Sequence, residues 1–221
     1  MAHLTPKLDS VKLIRHTRRV KTTYHHGDLA NSLVTATVSL LASRGAAGLS
    51  LREVARLAGV SHGAPAHHFG DKAGLLTAVA IEGYQLLAER LVASQQGTDL
   101  TSEQRLIDAG SAYIQFALSQ TAYFEVMFRP ALTNSEDREY LAAVKTAREV
   151  LENCVRRFLA GDSPERKIPE KQIAATVVAL WSQVYGFANL WLAGNLGDPD
   201  DVELRDEIVL NMLTSITPRI K

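Results

Sequence analysis

The stretch SLREVARLAGVSHGAPAHHFGDKAGLL, residues 50–76, constrains this chain more than any other feature, because it packs three helix boundaries into twenty-seven residues. Ser50-Leu51-Arg52-Glu53 has the form of a capping box, in which a hydroxyl and a carboxylate satisfy the free amides of a helix start. The short helix it opens runs to about Ala58, where Gly59-Val60-Ser61 makes a tight turn with Val60 as its apolar plug. Ser61 is placed to cap a further short helix through about His68, and Pro65 falls in its first turn, where a missing amide is tolerated. Asp71 can then cap a long helix through Leu75, Leu76, Val79, Leu86, Leu87, Leu91 and Val92. Upstream, Leu29, Leu33, Ala36, Leu40 and Leu41 recur at helical spacing from Gly27–Asp28 until Gly45 stops them. Two short helices on a glycine turn can lay the second across a DNA major groove while the first braces it on the backbone.

Charge supports that geometry, although the whole chain is neutral, with 24 Lys plus Arg and 24 Asp plus Glu. Residues 1–76 carry ten basic residues against four acids, an excess of six positive charges, and the remainder carries the opposite excess of six. All seven histidines also fall in the first 68 residues. A polyanion-binding head on an acidic body is the expected division. Residues 1–23 hold six of the basic residues and show no apolar period, which reads as a flexible basic arm.

With its capped second helix, AGVS turn, His-His-Phe ending and a lysine three residues after Phe69, the stretch resembles the head of the TetR family of repressors. The resemblance is close from Tyr24 to Val79. The opening YHHGDL, the SHGAP variant of the turn and WSQVYG at Trp181–Gly186 are similar to the branch with a WHG-type C-terminal domain, though Tyr185 stands where that name implies a histidine. The resemblance implies a DNA-contact set of Tyr24, Ser50, Arg52, Ser61, His62, Gly63, Ala64, His67, His68 and Lys72, with Lys72 and the start of the fourth helix meeting phosphate. A helix N-terminus independently favours an anion. Ala66 departs from the family, which has a backbone-contacting tyrosine there. Adjacent histidines point about 100° apart on a helix, and His67 is the one assigned to DNA. Gly63 serves either a close approach of backbone to DNA or helix packing.

Further helical patterns follow at about 103–119, 121–130, 137–160, 170–194 and 200–217, with no convincing strand alternation. The expected fold is therefore all-α with about nine helices: a basic arm at 1–23, a helix-turn-helix domain at 24–76, and a helical domain for effector binding and dimerisation at 77–221. Aromatic residues concentrate in that last region, and the resemblance implies a pocket for a small, mainly apolar effector. Tyr113, Phe116, Met127, Trp181 and Tyr185 are its candidate walls. The last two helices, with Ile208, Leu210, Met212, Leu213 and Ile216, are expected to pack against a second copy, as in the family. Two such heads about 34–36 Å apart would read a pseudo-palindromic operator in double-stranded DNA, the effector releasing it.

Other chemistries fit poorly. No nucleophile elbow, phosphate loop or HExxH is present, so an enzyme is not expected, nor any cofactor. The histidines lack the partners and spacing of a metal site, and Cys154 on LENCVRRFL reads as a core residue. The uncharged run Gln172–Gly197 is long enough to span a bilayer but contains Ser182, Gln183, Asn189 and Asn195, which suits burial between protein surfaces better than lipid. No apolar leader segment precedes the head, so a cytoplasmic location is expected.

Overall fold

Helix α1, His26–Arg44, forms because Leu33, Val34, Leu40 and Leu41 return to one face and are buried there, and it ends where Gly45 turns to φ +67°. The computed structural model describes residues 26–216 apart from 98, 162 and 164; the arm 1–23, Tyr24 and the side chain of Ile216 lie outside the described residues. Helix α2, Leu51–Leu57, buries Val54 and Ala55. Gly59, at φ +69°, makes the turn that few other residues could adopt, and α3 follows as Ala64–Phe69.

Two expected caps are absent. Ser50 is the N-cap of α2 in extended conformation but its side chain makes no capping bond, and Glu53, its intended partner, instead takes Arg44 at 2.6 Å. A guanidinium is a stronger partner for a carboxylate than a backbone amide, which accounts for the carboxylate half of the box. Likewise α3 starts two residues later than expected, with Gly63 rather than Ser61 at its N-cap. Pro65 explains the delay: buried in the first turn and without an amide proton, it cannot give Ser61 a helical i→i−4 bond, and the Ser61 carbonyl accepts from Ala64 at 3.0 Å in a turn instead.

Helix α4, Lys72–Ala93, is capped as expected, Asp71 Oδ1 accepting from the Gly74 amide at 2.8 Å. It buries Leu75, Leu76, Val79, Leu87 and Leu91, whereas Val92 faces outward. Beyond it lie α5 (Ser102–Ser119), α6 (Thr121–Met127), α7 (Arg138–Ala160), α8 (Glu170–Leu192) and α9 (Val202–Ile216). The pattern read as one helix over 121–130 breaks after Met127, where Pro130 begins a single 3-10 turn, Pro130–Leu132, because its ring cannot continue an α-helix. Thr101 and Asp137 cap α5 and α7 through side-chain bonds. The described residues are all-helical, as expected.

Packing places α4 along α7 and α6, and sets α5 among α7, α8 and α9. The buried apolar residues form one cluster from Leu33 in the head to Leu213 in the last helix, so α4 belongs to both parts of the molecule. Among the described residues α8 alone is long and apolar enough to cross a membrane, and its apolar residues divide between this core and an exposed face.

Candidate nucleic-acid interface and inter-helix cavity

Pro65 anchors α3 to the head, and almost everything else on that helix and the preceding turn faces solvent: Ser61, His62, Gly63, Ala66, His67 and His68 are exposed. Ala64 is half-buried. The His68 ring stacks on Phe69 with centroids 4.8 Å apart, which engages one face of its imidazole, while His67 projects from a different side of the helix. Gly63 has φ −83° and ψ −15°, open to any residue, and a Cβ there would meet nothing within 4 Å. Helix packing therefore does not account for it. Arg52 is exposed on α2, and Ser50 beside it is half-buried.

Lys72 is less free than the sequence suggests. Its Nζ donates to the Ala46 carbonyl at 2.8 Å, so one of three ammonium donors is tied to the loop after α1. The Asp71 carboxylate also occupies the start of α4, where the sequence suggested a bound anion.

Glu125 of α6 had no role in the sequence reading, yet its Oε1 accepts from the Ala46 amide at 3.4 Å and from Arg129 at 2.9 Å. Both backbone groups of Ala46 are thus held by side chains, one from α4 and one from α6. No sequence spacing announces this contact, because the partners are 79 residues apart.

A cavity of about 250 Å³ lies among α4, α5, α7 and α8, walled by Tyr84, Leu91, Tyr113, Phe128, Leu151 and Trp181. Trp181 Nε1 donates to the Tyr113 hydroxyl at 3.1 Å, and the Tyr84 hydroxyl donates to the Met127 carbonyl at 2.8 Å. Burial pushes both phenols well above their ordinary range, so they stay protonated. Arg148 brings charge to the wall, with its Nε 2.6 Å from Glu152 Oε1. Of the five candidate wall residues, Tyr113 and Trp181 line this space. Phe116 is fully buried with the Arg90 guanidinium over its ring, and Met127 seats its sulfur against α4 at Gly83. Tyr185 packs on Phe124 and Phe128, supporting the wall from behind. Aromatic residues close in sequence separate here because α5 and α6 each touch several helices, which share out their faces.

The outer face of α8 and α9 is apolar and open: Leu210 is 55% exposed, with Leu190, Leu192 and Leu204 exposed as well, whereas the exposed Val178 of α8 stands at the cavity. Gly186 sits mid-helix with nothing within 4 Å of a Cβ. Leu213 is different, at 5% exposure, and fills the space beside Gly110 of α5. It belongs to the core of the chain and not to the open face. Cys154 is buried in that core too, and burial raises its thiol pKa. No three metal-ligating side chains gather among the described residues.

Residues 33–79 match the family described as bacterial regulatory proteins, tetR family, and residues 106–213 match the tetracyclin repressor-like C-terminal domain. The HTH-type transcriptional regulator BetI of Escherichia coli O139:H28 is 28% identical over 192 residues, spanning 84% of this chain and 92% of BetI. Among solved structures, a Rhodococcus sp. RHA1 protein of unknown function aligns with a TM-score of 0.71 at 26% identity, covering 90% of this chain and 97% of that one. The TetR family transcriptional regulator PfmR of Thermus thermophilus aligns with a TM-score of 0.63 at 18% identity, covering 85% and 97%, a likeness of fold.

Proposed function

The chain belongs to the TetR family of DNA-binding transcriptional regulators, a class without enzymatic activity, and from that premise we propose that it is a cytoplasmic, homodimeric repressor released from a pseudo-palindromic operator by a small, mainly apolar effector. The observation that carries the DNA-binding surface is the exposed edge of Ser61, His62, Gly63 and His67, whose polar groups and open glycine serve no packing inside the chain. A glycine there lets the start of α3 approach a groove wall closely, and His67 offers ring nitrogens to base edges or phosphate. Arg52 and Ser50 stand at the start of α2, suited to bracing the helix pair on the backbone.

The open apolar face of α8 and α9 supports a second copy as partner, and Gly186 supports close approach of two helices there. The cavity supports the effector, being apolar with a few polar points. An effector lowers operator affinity only by preferring an arrangement that misplaces the heads. Two routes lead from the cavity to the head: α4, which carries Tyr84 and Lys72, and α6, whose end at Phe128 lines the cavity and whose Glu125 holds Ala46.

Fluorescence anisotropy of a labelled duplex from 50 to 200 mM salt tests the DNA reading, because phosphate contacts release counterions and a protein making 6–10 of them loses about 10³–10⁵-fold in affinity over that range. A steep loss is expected. Salt-independent binding, or none at low salt, would set DNA aside and leave a ligand-binding helical protein.

A further inference from the structure

The polar groups on the cavity wall sort themselves by what they lack. Tyr84 spends its hydroxyl proton on the Met127 carbonyl, and Trp181 spends its N–H on the Tyr113 oxygen. The Tyr113 oxygen is thereby occupied as an acceptor, and among the described residues its own proton meets no acceptor, although the side chain is only 5% exposed. Arg148, the charged member of the wall, gives its Nε to Glu152 and has its terminal N–H groups left over. Among the described residues no carboxylate lines the cavity. Both unspent functions are donors, one neutral and deep, one cationic and toward solvent. A buried hydroxyl proton without an acceptor is costly, and a ligand oxygen would supply what the protein does not.

Size narrows the ligand further. A dry apolar cavity of about 150 Å³ accepts benzene, so about 250 Å³ suits two fused rings or one ring with a short chain. The aromatic walls of Tyr84, Phe128 and Trp181 favour a planar apolar body.

On the reading of this cavity as the effector site, we propose that the effector is a compact aromatic molecule bearing an oxygen acceptor, a ketone or a carboxylate, held by the Tyr113 hydroxyl, with Arg148 adding affinity when the group is anionic. A cation is disfavoured: the aromatic rings would attract it, but the charge nearest to it would be Arg148, and the described wall offers no carboxylate to offset its loss of water.

Equilibrium dialysis of the full-length protein against naphthalene, 2-acetylnaphthalene, 2-naphthoate and benzyltrimethylammonium tests this. The ketone and the carboxylate are expected to bind about tenfold more tightly than naphthalene, the range of one hydrogen bond to a group otherwise unsatisfied. Tyr113→Phe also frees the Trp181 N–H, so it is combined with Trp181→Phe: Trp181→Phe alone should keep the advantage and the double variant, whose folding is verified by its thermal melt, should erase it while still binding naphthalene; Arg148→Gln should weaken the carboxylate alone. Naphthalene binding as tightly as the ketone, an advantage that survives the double variant, or tighter binding of the ammonium would overturn the donor assignment while leaving the cavity as the effector site. If wild type binds none of the four at millimolar concentration, the inference falls together with the effector reading of the cavity.

Discussion

At Gly63 the interior of the protein asks for no glycine: its dihedrals suit any residue and the space beside it is open. Gly63→Ala should therefore hold stability or raise it by up to about 1 kcal/mol, through the unfolded chain's lost freedom, and still weaken operator binding by obstructing close approach. Thermal melts and operator anisotropy on the same preparation check both halves; unchanged affinity would take Gly63 out of the interface. Lys72 separates two roles differently. Its bond joins a half-buried charged donor to the carbonyl of the buried Ala46, so Lys72→Met should lower stability by about 1–2 kcal/mol. If the remaining ammonium donors also touch phosphate, the same variant weakens specific and mixed-sequence duplexes alike. A loss of stability with duplex binding intact would make Lys72 a positioning residue only. The sequence revealed where these residues stand but not their partners. Ser50 and Glu53 show why: a capping box is a local possibility, and Arg44, from another helix, competes for the carboxylate.

Helices were the most legible level, because their periodicity and stops are written locally. Gly45, Gly59 and Asp71 act where the sequence placed them, and α5, α7, α8 and α9 each begin and end within two residues of the expected bounds. Which face of a helix meets which neighbour is not local, and there periodicity is a poorer guide. Leu210 and Leu213 are one turn apart on α9 and look interchangeable in sequence, yet one is open and the other is core. Substitutions at the two should accordingly behave as opposites. Leu210→Glu should leave circular dichroism and melting of the protomer intact while shifting sedimentation from dimer to monomer, since a carboxylate would be buried there only by a partner. Leu213→Glu should instead unfold the chain, with an unpaired charge forced into the space beside Gly110. A dimeric Leu210→Glu protein would move the interface elsewhere.

For the whole molecule the question is how an effector, if one fills the apolar cavity among α4, α5, α7 and α8, would be felt at α3. Contacts between residues far apart in sequence carry that answer, and they were beyond sequence reading: the cavity draws on four helices, and Glu125 reaches Ala46 across 79 residues. If α6 transmits the change, Glu125→Ala should leave probe binding in the cavity intact but shrink the effector's influence on operator affinity, from the roughly 5–150-fold usual for such couplings toward none. Linkage requires operator to weaken effector binding by the same factor, so calorimetry with and without duplex reads the same quantity from the other side. All of this presupposes a twofold pair of reading heads. Selection of bound DNA from a random duplex library tests that most directly. Enrichment of a pseudo-palindrome with half-site centres about 10–10.5 base pairs, or a multiple of that, apart is expected. Enrichment of a single asymmetric element, or none over many rounds, would contradict it.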